Sequence, residues 1–163
     1  SGSATYSSDI PSLSIPSGEV LEVRKSSDQS ITSNNVLQND SQLVLTVATS
    51  SNYIIDGAIF AVSTSGTPDI KIGFDVPPGV TMDLSFLSGS EGNFREAALL
   101  ETDGAASAVI PITANKVTVI QVKGTISTTS SGGGNVRLLW SQGTSNGTAT
   151  TVKTGSYLRA DEI

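Results

Sequence analysis

The stretch Asp69-Ile70-Lys71-Ile72-Gly73-Phe74-Asp75-Val76-Pro77-Pro78-Gly79 decides the fold class. Ile70, Ile72, Phe74 and Val76 alternate with Lys71, Gly73 and Asp75, the period of two that a strand with one buried face requires. Pro77-Pro78-Gly79 stops it, because proline removes a ladder donor and glycine admits turn conformations. The same rhythm recurs on both sides. Upstream, Val20 to Arg24, Ser26 to Thr32, Leu43 to Val47 and the apolar run Tyr53 to Ser63 read as strands, with Asp56-Gly57 a bulge or bend. Downstream, Met82, Leu84 and Phe86 alternate with Asp83 and Ser85. Val109 to Thr113, Lys116 to Ser127, Val136 to Ser141, Thr148 to Lys153 and Tyr157 to Arg159 follow. Ile120, Val122, Gly124 and Ile126 fall on one face. Asn34-Asn35, Asn39-Asp40-Ser41 and Ser130 to Gly134 read as turns. Residues 88–107 break the rhythm, and Phe94 to Leu100 is expected to form a helical turn within a long loop.

About eight to ten short strands, with no alternation of strand and helix, predict an all-β antiparallel β-sandwich, jelly-roll-like in layout. Residues 19–163 are expected to form one β-sandwich domain, with Trp140 as a core anchor. Residues 1–18 read as an extended N-terminal arm. Pro11 and Pro16 forbid a regular helix there. Tyr6, Ile10, Leu13 and Ile15 are nonetheless apolar enough to dock on the body, a sister subunit or another protein.

Composition narrows the function. The chain of 163 residues contains no Cys and no His, with Lys+Arg 9 against Asp+Glu 15 and a net charge of -6. Disulfides, zinc sites built on Cys or His, and His-dependent nucleophile systems are therefore excluded. So few cations argue against a nucleic-acid groove. No run of about 18 apolar residues suggests a membrane helix. No secretory leader is visible at the start, which points to synthesis in a cytoplasm. Ser and Thr make up roughly a quarter of the chain, well above ordinary usage.

The candidate chemical motifs are weak. Gly132-Gly133-Gly134 lacks the Lys-Ser/Thr pair and following helix of a phosphate loop. Ser88-Gly89-Ser90-Glu91-Gly92 lacks the first glycine of a nucleophile elbow. Asp69, Asp75 and Asp83 lie on neighbouring candidate strands and could supply paired carboxylates for glycoside cleavage. Aromatic platforms for a sugar are scarce, so surface aspartates that keep a sheet soluble are the favoured reading. No calcium-loop pattern occurs. The expectation is a protein with no catalytic residues, no metal and no cofactor.

From Val23 onward the chain resembles a recurrent module of tailed-bacteriophage virion proteins. The matching residues are Val23 to Ile31, Leu43 to Val47, Asn52-Tyr53, Asp69 to Phe74 and Pro77 to Val80. The strongest are Leu139-Trp140-Ser141-Gln142 and Thr150-Thr151-Val152-Lys153-Thr154-Gly155-Ser156-Tyr157-Leu158-Arg159. The resemblance implies a β-sandwich working as a homotrimer, and a structural role without an active site. The favoured expectation is an exterior decoration protein that binds the major capsid protein on the outer surface of a phage head and stabilises its lattice. Its apolar-dotted arm could add a strand to a capsid subunit. The other expectation is a tail-fibre or baseplate tip that binds a host receptor or glycan, through loops such as Gly143 to Thr148. Apolar strand positions around Ile54 and Phe60 are expected to meet at the trimer axis.

Overall fold

A computed structural model describes residues 18–90, 93–101 and 107–163, with only the backbone at residues 90 and 93–101. The expected arm, with Tyr6, Ile10, Leu13 and Ile15, lies outside the described residues.

The described chain is all-β. In order the strands are β1 (Val20–Arg24), β2 (Gln29–Ile31), β3 (Gln38–Val47), β4 (Asn52–Ser63), β5 (Ile70–Asp75) and β6 (Val80–Ser90). They continue as β7 (Asn93–Glu101), β8 (Ser107–Ile110), β9 (Thr118–Thr128), β10 (Gly134–Ser141), β11 (Thr150–Val152) and β12 (Tyr157–Glu162). They form two antiparallel sheets. The larger runs β1-β12-β4-β9-β6-β7, with β11 joining β2 to β4, and the smaller runs β3-β10-β5-β8.

Alternation along each strand explains the layering. The smaller sheet turns Leu43, Leu45, Ile70, Ile72, Phe74, Val136, Leu138 and Trp140 inward. The larger sheet answers with Tyr53, Ile55, Ile59, Met82, Leu84, Phe86, Ile120, Val122 and Leu158. Phe74 and Phe86 stack across the interface, with ring centroids 6.5 Å apart and planes 6° from parallel. Trp140 is fully buried. The first and last strands are neighbours: Val20 faces Asp161 and Arg24 faces Tyr157.

Three local readings are corrected. Residues 93–101 are not a helical turn. They form β7, paired along β6 from Ser90↔Asn93 to Asp83↔Glu101. The helix-favouring run Arg95 to Leu100 yields to the open edge of β6, which supplies the backbone partners a short isolated helix would lack. Asp56-Gly57 is neither bulge nor bend, since β4 keeps unbroken register through it on both β12 and β9. Glycine is required because a Cβ at position 57 would lie 2.8 Å from Leu158 Cδ2 and from the Tyr157 carbonyl. Asn39-Asp40-Ser41 lies inside β3 rather than in a turn. It forms a bulge: two steps along β10 (Arg137 to Leu139) match five along β3 (Val44 to Asn39).

Two turns read separately along the chain meet in space. The Gly79 carbonyl accepts a hydrogen bond from Thr129 N at 2.9 Å. A Cβ on Gly132 would lie 2.1 Å from that carbonyl oxygen, so only glycine lets the two turns touch.

Candidate interaction surface

The outer face of the larger sheet is built by the residues that alternate with its core positions. In β1, Leu21 and Val23 turn inward while Glu22 and Arg24 turn outward. Pairing then aligns these with the outward residues of the neighbouring strands. Glu22 faces Arg159, Arg159 faces Asp56, and Asp56 faces Lys123. One row across four strands thus reads acid, base, acid, base. Two residues along, a second row reads Arg24, Tyr157, Ala58, Gln121. Opposite charges directly across an antiparallel pair attract, which fixes register on a wet face.

The row stays in solvent. Lys123 Nζ and Asp56 Oδ1 are 3.1 Å apart, with side chains 62% and 44% exposed. Arg159 Nε and Nη2 both donate to Asp161 Oδ1, at 3.0 and 2.8 Å. The hydrogen bond to Asp161 and its charge raise the pKa of Arg159 above its usual value. Exposed pairs of this kind add little stability. Beside the row lies a shallow groove of about 410 Å³, lined by Glu22, Arg24, Asp56, Phe60, Gly155, Tyr157 and Arg159. Ile54 is half exposed on the same face of β4, and Phe60 is partly buried there.

Beneath this surface sits a buried polar hub. Lys25 and Asp40 are an ion pair, with Nζ 2.8 Å from Oδ2 and both side chains fully buried. Asp40 Oδ2 also accepts from Trp140 Nε1 at 3.1 Å. Its Oδ1 accepts from Leu43 N at 2.8 Å and Gln42 N at 2.9 Å, which holds the bulge of β3. Gln29 Oε1 accepts from Lys25 Nζ at 3.2 Å and from Ser41 N at 3.0 Å. Every member is tied, as a buried charge requires.

Several of the residues that carry the phage-module resemblance are scaffold, although Arg24, Gly155, Tyr157 and Arg159 line the groove. Trp140, Ser141 and Gln142 are fully buried. The Gln142 amide pins the loop that follows. Its Oε1 accepts from Asn146 N at 2.9 Å, and its Nε2 donates to the Thr148 carbonyl at 2.7 Å. Ser156 Oγ accepts from Phe60 N at 3.0 Å and donates to the Lys153 carbonyl at 2.8 Å. The Gly143 to Thr148 loop, read as a sugar-binding candidate, is thus ordered by its own hydrogen bonds.

The three candidate carboxylates are not brought together. Asp69 precedes β5 and accepts from Ile112 N at 3.2 Å. Asp75 ends the same strand, six residues away, or about 20 Å at strand rise. Asp83 lies on β6 of the other sheet. Among the described residues no group of three His, Cys, Asp or Glu is placed to hold a metal ion. No helix among them is long and apolar enough to cross a membrane.

No protein-family model matches this chain, and no curated protein matches it.

Proposed function

We propose that this chain is a non-enzymatic structural protein of a phage virion. It decorates the outer surface of the head, binds the major capsid protein as a homotrimer, and stabilises the lattice by bridging neighbouring subunits. The supporting observation is that Leu139 to Gln142 and Thr150 to Arg159, the strongest points of resemblance to phage virion modules, include the buried Trp140, Val152 and Leu158 and the Gln142 and Ser156 hydrogen bonds that tie loops to the sandwich. What they transmit is a rigid body that offers sheet faces for contact. The net charge of -6 suits an outer capsid surface, away from packaged DNA. A decoration protein that binds across subunit boundaries favours the assembled shell by linkage.

The groove lined by Phe60, Tyr157, Arg24 and Arg159 favours a second reading, a tail tip that binds a host-surface glycan. Copy number in intact particles separates the two: hundreds of copies are expected for the head protein, a handful for the tip. Heads lacking the protein are expected to lose resistance to heat and low salt. Deleting residues 1–18 is expected to leave a folded sandwich that no longer decorates heads. Stripped heads as heat-resistant as complete ones would refute the stabilising role.

A further inference from the structure

We infer that the groove on the larger sheet takes a neutral hexose, with Arg24 and Glu22 as the polar pair that holds its hydroxyls. The inference deepens the glycan reading of this groove, on which it rests. The aromatic side chains point there first. Tyr53, Phe74, Phe86 and Trp140 are buried, whereas Phe60 and Tyr157 are not, and both of these line the groove. An aromatic ring left open in a groove is a flat apolar surface for the C–H face of a sugar. Gly155 sits beside them with a φ of 87°, a backbone conformation that suits glycine. A Cβ there would stand 3.5 Å from Arg24 Nη2 and 3.9 Å from Phe60 Cε2. Bare backbone therefore floors the groove between a guanidinium and a ring, and leaves room for a ligand that touches both.

Charge decides the class of sugar. Lys123 already holds Asp56, and Arg159 already holds Asp161. Arg24 and Glu22 remain, and neither side chain makes an ion pair or hydrogen bond among the described residues. They stand two places apart on the outward side of β1, about 7 Å at strand rise. A carboxylate or sulfate on the sugar would gain at Arg24 and be repelled at Glu22. A hydroxyl suits both, because it accepts from the guanidinium and donates to the carboxylate. Bonds to charged groups of this kind are the strong ones. The side chains of the site stand on β1, β4 and β12, so strands rather than loops hold them in place.

The test is an NMR titration of the isotope-labelled full chain with glucose, galactose and glucuronate, read at the backbone amides. Glucose or galactose is expected to shift the amides of Arg24, Gly155 and Tyr157 saturably, and glucuronate to bind about tenfold more weakly. Arg24→Gln is expected to weaken the neutral sugar about tenfold. Glu22→Gln is expected to weaken it too, and to raise glucuronate binding above that of the wild type. Both positions are exposed, and unchanged thermal melts verify folding. Glucuronate that binds the wild type as tightly as the neutral sugars overturns the inference and leaves the glycan reading standing. Neutral binding that survives both substitutions unchanged overturns the assignment to this groove. Absence of any saturable shift overturns the inference as well, whereas the tail-tip reading itself falls to a copy number in the hundreds.

Discussion

At the residue scale, the most consequential group is the Asp40 carboxylate. It takes two hydrogen bonds from its own bulge, two from Lys25 and one from Trp140, all in the interior. A buried pair is weak evidence for net stability, but breaking one leaves an uncompensated charge. Asp40→Asn keeps the shape and removes the charge that Lys25 faces. It is expected to destabilise the fold by about 3–5 kcal/mol in urea unfolding. This hub was only half legible in the sequence. The apolar alternation of Val136, Leu138 and Trp140 identifies a buried tryptophan. Nothing local shows that Lys25 follows it inside, because its partners lie 15 and 4 positions away on other strands. The Asn39-Asp40-Ser41 signature reads as a turn, in which an Asp side chain bonds to nearby backbone N–H groups. Those bonds exist, but within a bulged strand rather than a turn.

At the element scale, periodicity located strands well wherever one face is buried. Val20–Arg24 agrees to the residue, and the long run through Ser63 begins one position earlier than read. The method fails at β7, whose local run favours a helix and whose partner is the edge of β6. The charged row was illegible for a related reason. Each strand shows only its own outward residues, and Glu22 meets Arg159 through a pairing that spans nearly the whole chain. Turns obey the same logic. The glycine run Gly132 to Gly134 announces a turn, but not that the turn rests against Gly79. Gly132→Ala would drive a Cβ to 2.1 Å from a backbone oxygen that cannot swing aside. The expected loss is about 1–3 kcal/mol, the range for overpacked sites. Gly147→Ala, with no atom within 4 Å of its Cβ, is the control and should melt like the wild type.

At the scale of the whole molecule, acid should loosen the sandwich through carboxylates that staple its strand ends. Asp28 is held below its ordinary value of 3.8, first by the hydrogen bond from Lys153 and then by the one from Thr154 N. Glu162 is lowered by hydrogen bonds from Ser51 and from Glu19 N. A depressed folded pKa gives stability that is complete above the unfolded value. That stability is lost as pH falls through the folded one. Thermal melts from pH 6 down to pH 2 are therefore expected to show falling stability. The gap between wild type and Asp28→Asn should be widest near neutrality and shrink below the ordinary carboxylate range. A gap that is constant across that range would rule out the linkage.

The adjacency of β1 and β12 also bears on how the chain reaches its fold. β12 fills the space between β1 and β4, so the larger sheet cannot close until residues 157–162 have been made. Until then the nascent chain carries two unpaired strand edges, the kind of surface on which chains aggregate. Closure through such distant contacts is entropically slow, which places folding in the millisecond-to-second range of sandwiches. The strand that completes the charged outer row is thus also the last of the described strands to be made, and the face that bears the row cannot exist before residues 157–162.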